Sequence, residues 1–285
     1  MKLQQNSNVS FKGANNRSTL LDEIYIEKGV KQPILIFAHG FKGYKDWGHF
    51  PLVAEEFAKA GFYVIKFNFS HNGGTIESPI DFPDLEAFSH NTYWKELQDI
   101  KKLLDWVKEN DKRLSKAGAD TKNISLLGHS RGGAISLIAA HQFSEINRLI
   151  TWASIASFKE RLPDKEILKK WEEEGVRYIE NGRTKQQMPM NYQFVEAIEE
   201  HSEILNIKKA VKSLNKPQLI IHGADDPTVD VQAAHQLKNW NPQAQLEIIE
   251  GAQHTLNGKH PWTEKSLPTA TLIAVEKTID FLRSS

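Results

Sequence analysis

The sequence predicts an α/β fold, a doubly wound and mostly parallel sheet with a helical cap insertion. Two observations carry this. Short apolar runs bounded by Gly, Asn or Pro alternate with longer segments of helical spacing. The alternation is interrupted once, by nearly sixty residues without a convincing core strand. No repeat or low-complexity tract competes with this reading, so 1–285 is read as one domain with the insertion inside it.

Taken in order, the first thirty residues predict one or two antiparallel strands, near Val9 to Lys12 and Leu20 to Glu27. Pro33 to Ala38 and Phe62 to Phe69 then read as buried parallel strands, being short and rich in Ile, Leu, Val and Phe. Phe50 to Ala60 supplies the helix between them. In the next helix Trp94, Leu97, Ile100, Leu104 and Val107 recur every three or four residues, with Lys95, Glu96, Lys101 and Lys108 between. Ile124 to Leu127 is a strand and Ala134 to Phe143 the helix after it, followed by the strand Leu149 to Ile155. The insertion spans Phe158 to Lys216. It contains a highly charged helix over Pro163 to Gly175, then Asn181-Gly182-Arg183 and the segment Met188 to Phe194. A loop of that length without structure is uncommon in a compact domain, so a helical cap over the C-terminal sheet edge is expected. Gln218 to Ile221 and Leu246 to Ile249 are the last strands, with helices over Val231 to Trp240 and Thr269 to Leu282.

Composition narrows the function. Thirty-six Lys and Arg balance 36 Asp and Glu, and no basic block is present, so nucleic acid is not an expected partner. Mean hydropathy is −0.48, and no apolar stretch approaches the ~18 residues that span a bilayer, so no membrane association is expected. The opening Met1-Lys2-Leu3-Gln4-Gln5-Asn6 lacks the apolar core of a signal peptide. There is no cysteine, hence no disulfide and no thiol nucleophile. A cytoplasmic location is expected. Oligomeric state is left open, a homodimer included.

Gly128-His129-Ser130-Arg131-Gly132 matches G-x-S-x-G, between the strand Ile124 to Leu127 and a helix opening near Gly133. That is the strand–elbow–helix setting the motif requires. A turn so tight excludes bulky flanking side chains, hence a glycine on each side, and it lifts the serine hydroxyl to the top of the sheet. The plainer role for Ser130 is a helix N-cap. As a nucleophile it needs a base, itself oriented by an acid. His254, in the turn after the last strand, is the candidate base. His39, His129 and His222 read as packing residues, and His260 as part of a surface loop before Pro261. For the acid, Asp225 and Asp226 both follow a strand. The spacing Gly223-x-x-Asp226-x-x-Val229 favours Asp226, with Asp225 as runner-up. Oxyanion donors should be the backbone N–H of Arg131 and that of Phe41, in the turn His39-Gly40-Phe41-Lys42-Gly43. Chain order Ser130, Asp226, His254 fits.

Through these motifs the chain resembles the α/β-hydrolase superfamily from about Leu20 onward. Within it the chain is similar to the dienelactone-hydrolase-related and cinnamoyl (feruloyl) esterase-like group, on His39-Gly40-Phe41-Lys42-Gly43, Phe67-Asn68-Phe69-Ser70-His71-Asn72-Gly73 and the length of the cap. Dienelactone hydrolases use a cysteine nucleophile, which this chain lacks. Dehalogenases and epoxide hydrolases place aspartate at the elbow, where Ser130 stands. The resemblance implies a serine hydrolase that cleaves carboxylic esters of small or medium substrates through an acyl-enzyme, without metal or organic cofactor. A small-molecule ester is the expected partner.

His71 and Asn72 end a strand where open α/β sheets bind ligands, and are candidate substrate contacts as well as candidate turn-formers. Tyr44 and Trp47 are candidate pocket walls. In the cap, Trp171 and Tyr192 are candidate contacts, although packing of the cap accounts for such aromatics equally. A serine aminopeptidase or amidase would share the triad but need carboxylates near Ser130 to hold a peptide amine. A non-catalytic binding relative would ordinarily lack a triad member.

Overall fold

The computed structural model describes residues 2–27 and 29–284. Along the chain run β1 (Leu3–Lys12), β2 (Ser18–Ile26), β3 (Gln32–Ala38), α1 (Phe50–Lys59), β4 (Tyr63–Phe67), α2 (Leu85–Ser89), α3 (Tyr93–Glu109), α4 (Asp111–Lys116), β5 (Ala119–His129) and α5 (Arg131–Gln142). Then follow β6 (Ile146–Trp152), α6 (Lys165–Glu174), β7 (Val176–Glu180), β8 (Gln187–Asn191), α7 (Gln193–Glu200), α8 (Ile207–Lys212), β9 (Gln218–Gly223), α9 (Gln232–Trp240), β10 (Gln245–Ile249) and α10 (Thr269–Arg283).

Eight strands form one sheet in the order β1-β2-β4-β3-β5-β6-β9-β10. β1 pairs antiparallel with β2 and β2 with β4, while β4, β3, β5, β6, β9 and β10 run parallel to one another. Alternation along the strands fills two separate cores. Leu35 and Phe37 of β3 face α1 and α10, together with Val53, Phe57 and Val275. Ile34 and Ile36 face the other way, toward α3 and α5. Helix α5 is buried along Arg131 to Ala140 because it is covered on several sides, by the sheet, α3 and α8.

After β3 the chain steps outward to β4, then returns to place β5 on the opposite side of β3. The crevice at the C-terminal ends of β3 and β5 is therefore the point where the winding reverses, the place such sheets bind ligands. Ala38 is paired with Gly128 across these strands. This register sets the turn after β3 beside the turn after β5.

The insertion differs from the expected all-helical cap. Between α6 and α7 the strands β7 and β8 form an antiparallel hairpin, Val176 opposite Asn191 and Glu180 opposite Gln187. Its loop, 181–186, is closed by Asn181 N–H donating to the Gln186 carbonyl at 2.9 Å and Lys185 N–H donating to the Asn181 carbonyl at 2.8 Å. Pro189 and the charged Arg177 and Glu180 conceal the strand pattern. Helix α8, within 158–216, packs on α5 and α9 and so belongs to the helical layer of the body.

A buried ion cluster ties the loop after β3 to the sheet. Asp22 of β2 faces Lys66 of β4 across the ladder, with Lys66 Nζ 2.5 Å and Lys45 Nζ 2.8 Å from its carboxylate. All three side chains are 2% exposed. Asp46 completes the charge balance by pairing with both lysines. Burial alone would raise the Asp22 carboxyl, but Lys66, Lys45 and the Asn8 N–H outweigh it and hold its pKa below 3.8.

Asp22→Ala leaves two buried ammonium groups with Asp46 as their one remaining carboxylate among the described residues, and the free energy of unfolding in urea should fall by about 3 kcal/mol. Because the folded pKa is depressed, the Asp22 contribution is present above about pH 4 and is lost as pH falls through the lower folded value. Urea midpoints of the wild type and variant should converge on acidification.

Candidate active site

Ser130 stands between β5 and α5 with φ 56° and ψ −120°, a backbone conformation that costs on the order of 1–3 kcal/mol and persists only where the surroundings impose it. Its N–H donates to the Trp152 carbonyl at 2.8 Å, and its carbonyl accepts from Gly133 N–H at 3.0 Å. A Cβ on Gly128 would lie 2.3 Å from the Gly132 carbonyl oxygen. Gly128 is thus needed because the chain folds back on itself across the elbow, and Gly132 because its Cβ would lie 2.3 Å from the His39 carbonyl oxygen just past the end of β3.

The three candidate triad residues come from three separate strand ends and meet. His254 Nε2 lies 2.9 Å from Ser130 Oγ. Its Nδ1 lies 2.8 Å from Asp226 Oδ2. An ionised carboxylate only accepts, so Nδ1 carries the proton and Nε2 is left to accept from the serine hydroxyl. Asp226 is selected over Asp225 by this geometry. Asp226 Oδ1 accepts the N–H groups of Thr228 (2.8 Å) and Val229 (2.9 Å). Burial would raise Asp226, but hydrogen bonds from His222 and His254 and from Val229 N–H hold it well below the ordinary carboxylate range.

Two histidines read from the sequence as packing residues support this array. His222 Nε2 donates to the Val229 carbonyl at 2.9 Å and lies 3.3 Å from Asp226 Oδ2. His129 Nε2 donates to the His254 carbonyl at 2.9 Å, and burial pushes its pKa down to about 3, so the ring is neutral. His39 is likewise pushed down by burial, to about 4. Its Nδ1–H donates to the Gly40 carbonyl at 2.8 Å while Nε2 accepts the Phe69 N–H at 3.2 Å.

The turn holding Phe41 is closed by Gly43 N–H donating to the Gly40 carbonyl at 3.1 Å. It lies against the elbow: a Cβ on Gly40 would come within 3.0 Å of Ser130 Cβ. The N–H of Phe41 is at the second position of that turn, outside its closing bond. The N–H of Arg131 is in the first turn of α5, where no intrahelical acceptor exists. These are the two groups expected as oxyanion donors.

Two cavities flank Ser130 and His254. One, of about 260 Å³, is walled by Tyr44, Trp47, Phe50 and Phe82, with Asn181 and Arg183 of the cap hairpin above. The other, of about 420 Å³, lies under the cap against Trp171, Met190 and Phe194. Tyr44 and Trp47 are pocket walls, and Trp171 reaches the cap-side cavity.

Other expectations are corrected. His71 and Asn72 line neither cavity. Asn72 donates from Nδ2 to the Gly43 carbonyl (3.2 Å) and accepts the Gly74 N–H (2.9 Å), bracing the Phe41 turn from behind. His71 Nδ1 pairs with Ser70 Oγ at 2.8 Å, buried. Tyr192 packs edge-on to Trp171 behind the cavity wall. Conversely His260, read as a surface-loop residue, lines the smaller cavity. Its Nδ1 accepts the Gly48 N–H at 2.8 Å and its Nε2–H donates to Tyr44 Oη at 2.8 Å. No local pattern distinguishes it, since the contact joins segments 216 residues apart. Among the described residues no group of three His, Asp or Glu is arranged to hold a metal ion.

Sheet, elbow and the alignment of three strand ends define an α/β-hydrolase. Residues 23–241 match the family model BD-FAE, and the chain belongs to that family. No curated protein matches the sequence. Solved structures are similar in fold across the whole chain. Est1E from Butyrivibrio proteoclasticus, with ferulic acid bound, is 19% identical with a TM-score of 0.69, over 96% of this chain and 98% of that one. The esterase domain of a Rhodothermus marinus protein is 16% identical with a TM-score of 0.64, over 99% and 98%. The Pyrococcus furiosus esterase Pf2001 is 18% identical with a TM-score of 0.62, over 99% and 92%.

Gly128→Ala forces the elbow open, and a loss of about 1–3 kcal/mol in stability is expected from the overpacking. Thermal melting should show the lowered midpoint.

Proposed function

We propose that this protein is a serine carboxylesterase acting on small or medium esters. The observation that carries the reading is the continuous hydrogen-bonded line from Ser130 Oγ through His254 to Asp226, at 2.9 and 2.8 Å, opening onto two cavities. Family membership and the esterases among its structural neighbours support the same class.

In this mechanism Ser130 Oγ attacks the ester carbonyl carbon while His254 Nε2 takes the hydroxyl proton. Asp226 keeps the imidazole tautomer and stabilises the imidazolium that forms. The carbonyl oxygen gains the electron pair and is held by the N–H groups of Phe41 and Arg131. Collapse of the tetrahedral species expels the alcohol, protonated by His254, and leaves an acyl-Ser130. Water, deprotonated by the same nitrogen, then releases the acid. The two cavities suit the two halves of an ester, one for the acyl group and one for the alcohol. The amidase alternative is less well supported: no carboxylate lines either cavity among the described residues to hold a peptide amine.

Hydrolysis of 4-nitrophenyl acetate and butyrate should be measured for the wild type and for Ser130→Ala. Wild-type turnover abolished by the substitution is expected; equal rates in the two proteins would remove Ser130 from the mechanism. Asp226→Asn should lower kcat on the order of 10⁴-fold by releasing the wrong imidazole tautomer. Because Asp226 is held well below the ordinary carboxylate range, it stays ionised at about pH 5 as at about pH 8, so protonation of Asp226 should not limit wild-type kcat over that range.

A further inference from the structure

The two cavities beside Ser130 differ in charge. The smaller one is lined by Arg183, whose guanidinium is neutralised by an ion pair with Asp81, and by Lys42, which it shares with the cap-side cavity. Four cations line the cap-side cavity: Lys42, Arg131, Arg161 and Arg177, with no carboxylate among its lining residues. Only Arg131, among the described residues, has a carboxylate within ion-pair range, Glu96 at 3.4 Å.

The remaining contacts of these cations are to neutral groups. Arg161 donates to the Thr228 carbonyl at 3.1 Å. Arg177 lies 5.9 Å from the Trp171 ring centre. Lys42 donates to the Glu180 carbonyl at 3.3 Å, and burial lowers its pKa. The Arg131 guanidinium is buried among three rings, 3.9 Å from the centre of Phe41, 4.9 Å from Tyr93 and 5.4 Å from Phe194. In a chain of formal net charge zero, this is a local excess of positive charge with low-dielectric walls, and such clefts focus potential and favour anions. Guanidinium groups also match the geometry of a carboxylate, which accepts two parallel N–H bonds.

We propose that the cap-side cavity is a carboxylate-recognising subsite, so that the preferred ester bears an anionic group on an apolar body in the half that enters beneath the cap. Lys42 and Arg131 come from the catalytic body, whereas Arg161 and Arg177 come from the insertion. The insertion therefore sets the charge preference as well as the shape of the site. This inference rests on Ser130 being the nucleophile of an esterase, and it names that enzyme's substrate class.

Two matched ester pairs test it. Mono-4-nitrophenyl glutarate against 4-nitrophenyl butyrate places the charge on the acyl half, and 4-acetoxybenzoate against phenyl acetate places it on the alcohol half. The anionic member of one pair should be preferred in kcat/KM by about tenfold, the scale of one charge-assisted contact. That preference should shrink with added salt. It should collapse toward parity in the double variant Arg161→Gln, Arg177→Gln, and be largely retained in Arg161→Lys, Arg177→Lys. A merely structural role for the two arginines would lower both members of a pair together and leave the ratio intact. Parity in both pairs, or a preference that survives the glutamine variant, overturns the subsite while leaving Ser130-dependent hydrolysis standing. If no ester is cleaved in a Ser130-dependent way, the esterase reading fails first. Calorimetry of 4-hydroxybenzoate with Ser130→Ala then decides the anion site separately. Binding lost in the glutamine double variant sustains it, and no binding overturns it.

Discussion

Everything at this site depends on a backbone conformation that Ser130 would not adopt alone. With φ at 56°, the serine is held above the sheet because β5 delivers it, α5 departs beneath it, and Gly128 and Gly132 let the chain pass within contact of itself. The cost is local and the compensation is collective. Buried Ile, Leu and Ala on both faces of the sheet and along α5 supply it. The same crossing puts the N–H of Arg131 in the first turn of α5, where no intrahelical acceptor exists, beside the exposed hydroxyl.

Around that point the polar groups are arranged in layers of support. Asp226 is held by two backbone N–H groups and His222. His254 is held through its ring by Asp226 and through its carbonyl by His129. The turn carrying Phe41 is braced by Asn72 and its loop anchored by the Lys45, Lys66, Asp22 and Asp46 cluster. Burial keeps the His129 ring neutral, its pKa pushed down to about 3, so that ring offers one donor and one acceptor.

The insertion divides the space above the elbow. Its hairpin and α6 place Trp171, Arg177 and Met190 over one flank of Ser130, and its hairpin turn places Asn181 and Arg183 over the other. Charge separates these flanks more sharply than volume does. Arg183 is neutralised by Asp81, whereas Arg161 and Arg177 of the insertion have no carboxylate within ion-pair range among the described residues. The body carries Ser130 and His254, and the insertion lines both cavities beside them.

The sequence by itself determined the strand order of chemistry. Short apolar runs marked the buried cores of the sheet strands, but the sequence left Leu3 to Asn8 of β1 and Ala119 to Asn123 of β5 unmarked, where polar residues break the apolar pattern. The G-x-S-x-G elbow, the Gly223 to Val229 spacing and the turn after the last strand named Ser130, Asp226 and His254, because each is bound to a local backbone requirement that leaves a residue signature. Tertiary structure alone decided what depends on distant segments meeting. It placed His260 in the pocket through Tyr44 and Gly48, withdrew His71, Asn72 and Tyr192 from it, and revealed a hairpin within the cap. It also gathered Lys42, Arg131, Arg161 and Arg177 around one cavity. Periodicity reports which face of an element is buried, but not which cation on one loop faces another more than a hundred residues away. That is fixed by how the insertion folds onto the sheet, where packing and the neutralisation of charge are settled together.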